Sequence, residues 1–104
     1  MWIKQNKHAF EKELQKIKRE YIRDLKDQIH RLETLLKKER WENIYQIGHQ
    51  LRGSGESYGF KEISSVGGKI QEAALQRDQV KLGQWSSKLQ EIEKELENAL
   101  NLED

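Results

Sequence analysis

The sequence contains neither cysteine nor proline among its 104 residues. The absence of cysteine excludes disulfide bonds and thiolate metal sites. Because there is no proline, nothing forces a break inside a helix. No apolar run approaches the roughly 20 residues of a membrane-spanning helix, and residues 1–10 hold no apolar signal-peptide core. These absences favour a soluble, cytoplasmic, helical domain that does not insert into a membrane.

Charged residues make up 36% of the sequence and hydrophobic residues 35%, which is typical of long helices with solvated faces. The net charge of +1 is unevenly spread, at +5 over residues 1–40 and −4 over residues 41–104. A basic half can meet an acidic partner or nucleic acid. A solvated helix face is the more common origin of such a block, so we expect no nucleic-acid partner.

Apolar spacing of three and four residues predicts four helices. Their approximate ranges are 7–38, 41–57, 60–76 and 78–100. The stripe of the first helix consists of Phe10, Leu14, Ile17, Tyr21, Leu25, Ile29, Leu32 and Leu36. At 1.5 Å per residue this helix is on the order of 45 Å long. It is longer than the others, which predicts that one end projects.

Each predicted helix has one apolar face, and the connections between the helices are short. Short connections favour antiparallel neighbours, so the sequence predicts an all-α, antiparallel up-down four-helix bundle with a long first helix. We place the bundle at about residues 9–101 of a single domain, residues 1–104, after an N-terminal extension of residues 1–8. Gly67 and Gly68 indicate close helix packing. Asp78 is positioned to cap the fourth helix. A coiled coil built on the first helix is the weaker alternative.

The second predicted helix presents a polar face around His49. At 100° per residue, His49 lies about 140° from Ile44, which is on the core face. Four other residues fall on the same outward side. The histidine patch is therefore Tyr45, His49, Arg52, Gly53 and Glu56.

The histidine patch suits phosphoryl chemistry. An imidazole with a pKa near 6.5 is substantially neutral at pH 7, so a ring nitrogen can attack phosphorus. Arg52 can neutralise charge on the phosphoryl oxygens. Gly53 leaves room for a partner to approach the ring, which explains a glycine in an exposed helix. Glu56 is the exception, because its charge can repel a phosphoryl group or pair with Arg52.

Other site chemistries find no support in the sequence. No two histidines have the i, i+4 spacing of a helical metal site, so we expect no metal. His8 and His30 are interpreted as ordinary surface residues. There is no pattern for a Ser-His-Asp hydrolase and no glycine-rich nucleotide loop, so we expect no cofactor and no ATP binding.

Residues 49–60, with the sequence HQLRGSGESYGF, resemble the signature of the histidine phosphotransfer (HPt) domain family. The matching positions are His49, Leu51, Arg52, Gly53, Ser54, Gly55 and Gly59. The sequence departs from the family pattern at three positions. Arg52 stands where lysine is commoner, Glu56 where a small residue is usual, and Gln71 where glutamate is frequent.

The resemblance implies a phosphocarrier of a two-component phosphorelay and not an enzyme. His49 would exchange a phosphoryl group with the aspartate of a response-regulator receiver domain, or with a hybrid histidine kinase. The receiver would supply Mg²⁺ and most of the catalysis. Arg52 would neutralise charge, Gly53 would give access, Ser54 would support the site by a local hydrogen bond, and Tyr45 would help to dock the receiver.

The sequence leaves one main alternative function, a helical adaptor bundle that binds a partner without phosphate, which is motivated by the long first helix and by Glu56. The oligomeric state is also open. We expect a monomer, because the single stripe of each helix is used within its own bundle.

Overall fold

The computed structural model describes the backbone of residues 2–100 and the side chains of residues 7–100. Residues 2–100 form four helices and no strand. Their bounds are α1 Trp2–Lys37, α2 Trp41–Ser57, α3 Lys61–Leu75 and α4 Gln79–Ala99. The predicted all-α four-helix class is thereby confirmed.

The predicted start of the first helix was wrong. α1 begins at Trp2, before the predicted start at about Lys7. It also continues without a break through residue 8, where we placed the end of an N-terminal extension. Residues 1 and 101, the outer ends of the predicted extension and bundle, lie outside the described residues. The stripe used for the prediction began at Phe10, so residues 2–6 were not counted in it.

The helices form an antiparallel ring in which each contacts the next and α1 also contacts α4. The direction of α2 against α1 follows from two hydrogen-bonded pairs. Tyr21 of α1 pairs with Ser54, whereas Gln28 pairs with Gln50. Residue numbers therefore rise along α1 and fall along α2. This is the predicted up-down arrangement.

The core fills the space between the four helices with aliphatic side chains. Its buried members are Ile22, Leu25, Ile29, Leu32, Ile44, Ile47, Leu51, Ile63, Val66, Ile70, Ala73, Ala74, Leu82, Leu89 and Ile92. Ile22 is fully buried although the predicted stripe did not include it. Burial of each Ile, Leu or Val side chain in this core stabilises the fold by about 1.5–3 kcal/mol before the entropy of ordering is counted.

The N-terminal half of α1 projects beyond the bundle, as the length argument predicted. α1 has 36 residues, about 54 Å at 1.5 Å per residue, and the longest extent of the molecule is 56 Å. α4 ends beside Arg19, whose Nε donates to the carbonyl oxygen of Leu100 at 3.2 Å. The predicted core residues Phe10, Leu14 and Ile17 lie before that point and are exposed.

The turn before α4 confirms the predicted cap. The Asp78 carboxylate accepts the backbone N–H of Lys81 at 3.0 Å. It satisfies one of the four amide groups that a helix start leaves without an internal partner. Within residues 2–100, no helix is both long and apolar enough to cross a membrane.

One buried carboxyl group, Glu93 of α4, stands apart from the apolar core. Glu93 is only 6% exposed and lies beside Glu97, which in turn sits 3.9 Å from the ammonium group of Lys26. Burial, followed by the hydrogen bond and the negative charge of Glu97, raises the pKa of Glu93 to about 7 from its ordinary value of 4.5. Near neutral pH, Glu93 therefore holds a proton that an unfolded chain would release.

Glu93 makes stability depend on pH. The folded-state pKa of Glu93 lies above the unfolded-state pKa. The stabilisation that Glu93 gives the folded protein is therefore complete below about pH 4.5 and is lost as pH rises through about 7. Relative to Glu93→Gln, we expect the free energy of unfolding of the wild type to fall by up to about 3 kcal/mol across that window. Urea titrations at several pH values measure the difference. Glu95→Gln, on the exposed side of α4, should keep the wild-type slope, and equal slopes for all three proteins would contradict the assignment.

Candidate functional site

The histidine patch lies on the outward side of α2. His49, Arg52, Gly53 and Glu56 are exposed, whereas Tyr45 is half-buried against the core. Gly48, the residue before the histidine, lies about 100° around the helix and is buried on the core side. One helix thus carries the whole patch, because residues three and four apart share a face.

A residue from α3 completes the surroundings of His49. Gln71 is buried, and its side-chain Nε2 lies 3.3 Å from Nδ1 of the His49 ring. In the sequence, Gln71 stood out only as a departure from a family pattern, and it was predicted to belong to no site. Its position could have indicated a buried polar contact, because Gln71 is a polar residue on the apolar face of α3, four residues after Gly67.

Two glycines bring α2 and α3 close enough for this contact. A Cβ atom on Gly48 would come within 2.7 Å of the backbone nitrogen of Gln71. A Cβ atom on Gly67 would come within 2.5 Å of the backbone nitrogen of Arg52. Both distances are too short for a real side chain, so the helix backbones touch there. Because His49 follows Gly48, its ring lies at the rim of this contact.

The contact with Gln71 engages one side of the imidazole ring. Nδ1 faces the buried amide, so Nε2, at the far side of the ring, faces away from it. The amide of Gln71 can donate a hydrogen bond to Nδ1 of the ring through its own Nε2, or accept one from Nδ1–H through its Oε1. Gln71 is therefore able to hold either neutral tautomer of His49, which a carboxylate in its place could not do.

The amide of Gln71 has one further property. Its Oε1 is buried and accepts no hydrogen bond in the part of the chain that the structure describes. A half turn of the amide exchanges the two terminal atoms with little change in shape. In that orientation Oε1 of Gln71 accepts a hydrogen bond from Nδ1–H of His49, which leaves a lone pair on Nε2 of the ring. Of the two orientations, only this one leaves Nε2 of the neutral His49 ring without a proton.

Arg52 offers a free positive charge beside the ring. Its side chain is exposed, and its guanidinium takes part in no ion pair among the described side chains. Its backbone carbonyl accepts the Ser64 hydroxyl at 2.7 Å, which ties this turn of α2 to α3. Arg52 thus combines an anchored backbone with a side chain that can reach an anion.

Glu56 lies farther from the histidine than its place in the patch suggested. Seven residues of helix separate it from His49, about 10.5 Å along the axis. Between exposed groups in water, that distance is about one Debye length at physiological salt, so repulsion of a phosphoryl group is largely screened. Glu56 makes no ion pair with Arg52 in the described part of the chain.

Gly53 leaves an open approach next to the histidine. A Cβ atom built on Gly53 would meet nothing within 4 Å. The glycine is therefore not needed for packing in the bundle, unlike Gly48 and Gly67. Its cost of about 1 kcal/mol against alanine in a helix interior has no structural compensation within the described residues.

Tyr45 lines a groove at the start of α2. The groove has a volume of about 300 Å³ and lies between the first two turns of α2 and the end of α3. Its apolar walls include Trp41, Tyr45 and Leu75, and Leu75 is 73% exposed. An exposed leucine beside two half-buried aromatic rings marks an apolar surface one turn from His49.

Ser54 lies apart from the histidine patch. It is half-buried and faces α1, where its hydroxyl is hydrogen-bonded to the Tyr21 hydroxyl at 2.8 Å. Burial raises the pKa of Tyr21, an effect that the bond to Ser54 partly offsets. The structure thus replaces the predicted local hydrogen bond by one between α1 and α2, and Ser54 positions the helices.

In the described part of the chain, no three acidic or histidine side chains gather as a metal site would require. The histidine patch contains one imidazole and one carboxylate about 10.5 Å apart along α2. Its chemistry therefore depends on the ring of His49 and the charge of Arg52.

The chain matches a known protein family. Residues 16–102, more than half of the chain, match the family model described as Hpt domain. The matched range includes the histidine patch, Gln71 and the groove. No curated protein and no solved structure matches the chain significantly.

Proposed function

The chain belongs to the Hpt domain family of two-component phosphocarriers, and on that premise we propose that it accepts and donates a phosphoryl group on His49. The observation that carries the proposal is the exposed imidazole of His49, held at Nδ1 by the buried amide of Gln71. A ring that is fixed on one side and open on the other presents a single nitrogen, Nε2, to a partner.

The proposed partner is the phosphorylated aspartate of a receiver domain. The Nε2 lone pair attacks phosphorus, the new P–N bond forms, and the P–O bond to the aspartate breaks, so the aspartate leaves as a carboxylate. The reverse step returns the group to a receiver. When bound, the Mg²⁺ of the receiver neutralises the phosphoryl oxygens. This chain contributes the nucleophile and its orientation, as expected of a carrier that is not an enzyme.

Within this proposal, Arg52 stabilises the phosphoryl group after transfer. It lies three residues from His49 on the same face, with no competing ion pair among the described residues. A guanidinium can form two parallel hydrogen bonds to phosphoryl oxygens. Arg52 thereby provides positive charge on this chain's side of the transfer complex.

We assign the receiver's docking surface to the groove beside Tyr45 together with the open space over Gly53. The groove supplies apolar area through Trp41 and Leu75. The space over Gly53 allows the partner's active site to reach the ring. Specific protein interfaces combine an apolar core with a polar rim, and in this proposal the groove supplies the core and the residues around His49 supply part of the rim.

Phosphotransfer from a receiver tests the proposal. Wild-type protein mixed with a receiver carrying labelled phosphate should acquire acid-labile, base-stable label. His49→Gln should acquire none, because the amide cannot act as nucleophile, while His30→Gln on the exposed side of α1 should behave like the wild type. Label that persists in His49→Gln would refute the assignment. If binding of the partner is unchanged in His49→Gln and no protein takes label, the chain is a helical adaptor.

The position of the phosphate on the ring is part of the same experiment. Because Gln71 occupies Nδ1, the phosphoramidate should form at Nε2. Nitrogen-15 spectra of the phosphorylated protein distinguish the two ring positions. Phosphate on Nδ1 would show that the contact with Gln71 is broken before transfer.

A further inference from the structure

Gly68 of α3 is not needed for the packing of the bundle, in contrast to its neighbour Gly67. Both glycines were predicted to mark close helix packing, but only Gly67 meets backbone atoms of α2. A Cβ atom on Gly68 would meet one atom of another helix within 4 Å among the described residues. That atom is Cδ of Arg52, at the ordinary van der Waals distance of 3.7 Å. Gly68 is half-buried in the interior of α3, where alanine would be more stable, so packing does not explain this glycine.

The contact with Gly68 shows where the side chain of Arg52 runs. The backbone of Arg52 is fixed to α3, because its nitrogen lies against Gly67 and its carbonyl oxygen accepts the Ser64 hydroxyl at 2.7 Å. From this anchored start the aliphatic stem crosses to α3 and lies on the bare backbone of Gly68. The stem is thereby supported by α3, although the side chain as a whole is exposed.

The path of the stem relates Arg52 to the histidine. Along the contact between α2 and α3, His49 faces Gln71 and Arg52 faces Gly68, so the two helices are antiparallel. These two facing pairs are about 4.5 Å apart along the helix axes. Side chains of an α-helix lean toward its N-terminus, so Arg52 leans toward His49. The charge of Arg52 is therefore directed along α3 toward the level of the imidazole ring.

The acidic residues nearest to this path leave the guanidinium free. Glu72, one turn after Gly68 on α3, is paired with Lys69, with 4.0 Å between the carboxylate oxygen and the ammonium nitrogen. Glu56 forms no ion pair with Arg52 among the described side chains. Gly68 has no side chain at the position of α3 that the stem touches. The guanidinium is therefore available to an anion from outside the bundle.

We propose that Gly68 is the positioning residue for Arg52, a role that rests on the proposed phosphotransfer at His49. The missing side chain gives the Arg52 stem a surface to lie on and leaves the guanidinium without a partner until a phosphoryl group reaches the ring. Its charge-assisted hydrogen bonds then go to phosphoryl oxygens and not to a side chain of α3. Gly68 contacts Arg52 and not the His49 ring, so it acts only through Arg52.

Gly68→Glu should capture the guanidinium. Its carboxylate would extend from a Cβ atom 3.7 Å from Cδ of Arg52, close enough for the two charges to pair. Phosphoramidate serves as the phosphoryl donor, because it is too small to need the receiver's docking surface. We expect Gly68→Glu to take up phosphate about 10-fold more slowly than the wild type, since the hydrogen bond from a charged group to the phosphoryl oxygens is lost. Gly83→Glu, the matched change at an exposed glycine of α4, should react at the wild-type rate.

A double-mutant cycle shows whether Gly68 acts through Arg52. Arg52→Ala should itself slow phosphate uptake by about 10-fold. In that background Gly68→Glu should cost less than about 2-fold more, because an exposed carboxylate without a partner is screened by salt. A further loss as large as the first would mean that the new carboxylate repels the donor directly, and it would overturn the positioning role. Circular dichroism checks that each variant is folded.

Nuclear Overhauser spectra of the unphosphorylated wild type test the geometry without any phosphate. The protons on Cδ of Arg52 should show a contact with the α protons of Gly68. If this contact is absent, the stem does not lie on α3 and the proposal is overturned.

The uptake measurements also separate this inference from the proposed function. If the wild type takes up phosphate on His49 and Gly68→Glu matches its rate, the proposed function stands and the role of Gly68 is wrong. If the wild type takes up no phosphate on His49 from phosphoramidate or from a receiver, the proposed function fails, and the role of Gly68 fails with it.

Discussion

Gly67→Leu is expected to lower the free energy of unfolding by about 3 kcal/mol or more, a large share of the total for a domain of this size. A Cβ atom at Gly67 would lie 2.5 Å from the backbone nitrogen of Arg52 and 2.8 Å from the carbonyl oxygen of Gly48. Both neighbours are backbone atoms of α2, so no side-chain rotation can relieve the overlap. The two helices must separate, and the packing of the core around Ile70 is lost with them.

Urea unfolding followed by circular dichroism and tryptophan fluorescence measures the Gly67 effect. Gly83→Ala is the control, because a Cβ atom there meets nothing within 4 Å. That variant should gain roughly 0.5–1 kcal/mol from the higher helix propensity of alanine. An unchanged urea midpoint for Gly67→Leu would show that α2 and α3 can move apart at no cost, and that the close contact is not needed for stability.

Gly53→Gln is expected to slow phosphotransfer from a receiver by about 100-fold or more while leaving the bundle intact. The new side chain meets no atom of this chain, so it extends into the space over the histidine. A partner's active site must bring phosphorus to within about 3–3.5 Å of Nε2, and a displacement of only 1 Å can cost about 100-fold in rate. Helix propensity should meanwhile raise stability slightly.

Gly83→Gln separates the two effects of the glutamine. Gly83 is also exposed, lies on α4, and has the same empty surroundings. Both variants should gain similar stability, so a rate loss confined to Gly53→Gln reflects blocked access. Transfer at the wild-type rate in Gly53→Gln would show that the partner approaches His49 from another side. The comparison needs only initial rates at matched receiver concentration.

The contrast among the glycines shows what packing adds to a sequence pattern. Gly48, Gly53 and Gly67 all stand within predicted helices, and each carries the same propensity cost. Only the positions of α2 and α3 relative to each other show that Gly48 and Gly67 touch backbone atoms, whereas Gly53 faces open space. The helical angle already placed Gly53 outward and Gly48 inward. The structure adds the distances from each glycine to its neighbours.

For a related reason, the sequence could not identify Gln71 as the residue that contacts the His49 ring. Periodicity assigns each residue a direction on its own helix, and it placed His49 on the outer face of α2. It does not state which residue of a second helix lies opposite. Gln71 reaches Nδ1 because the glycine contact sets the separation and rotation of α3 against α2.

Local pattern was sufficient for the helices themselves, including the bounds of α2, the cap at Asp78 and the outward direction of His49. These features depend on neighbours within about one turn, which the chain order specifies. The point along α1 at which the buried core ends could not be predicted from local pattern. Phe10, Leu14 and Ile17 share a stripe with Leu25 and Leu32, yet they are exposed because α4 ends beside Arg19. Burial requires a partner surface, and the length of another helix determines where that surface stops.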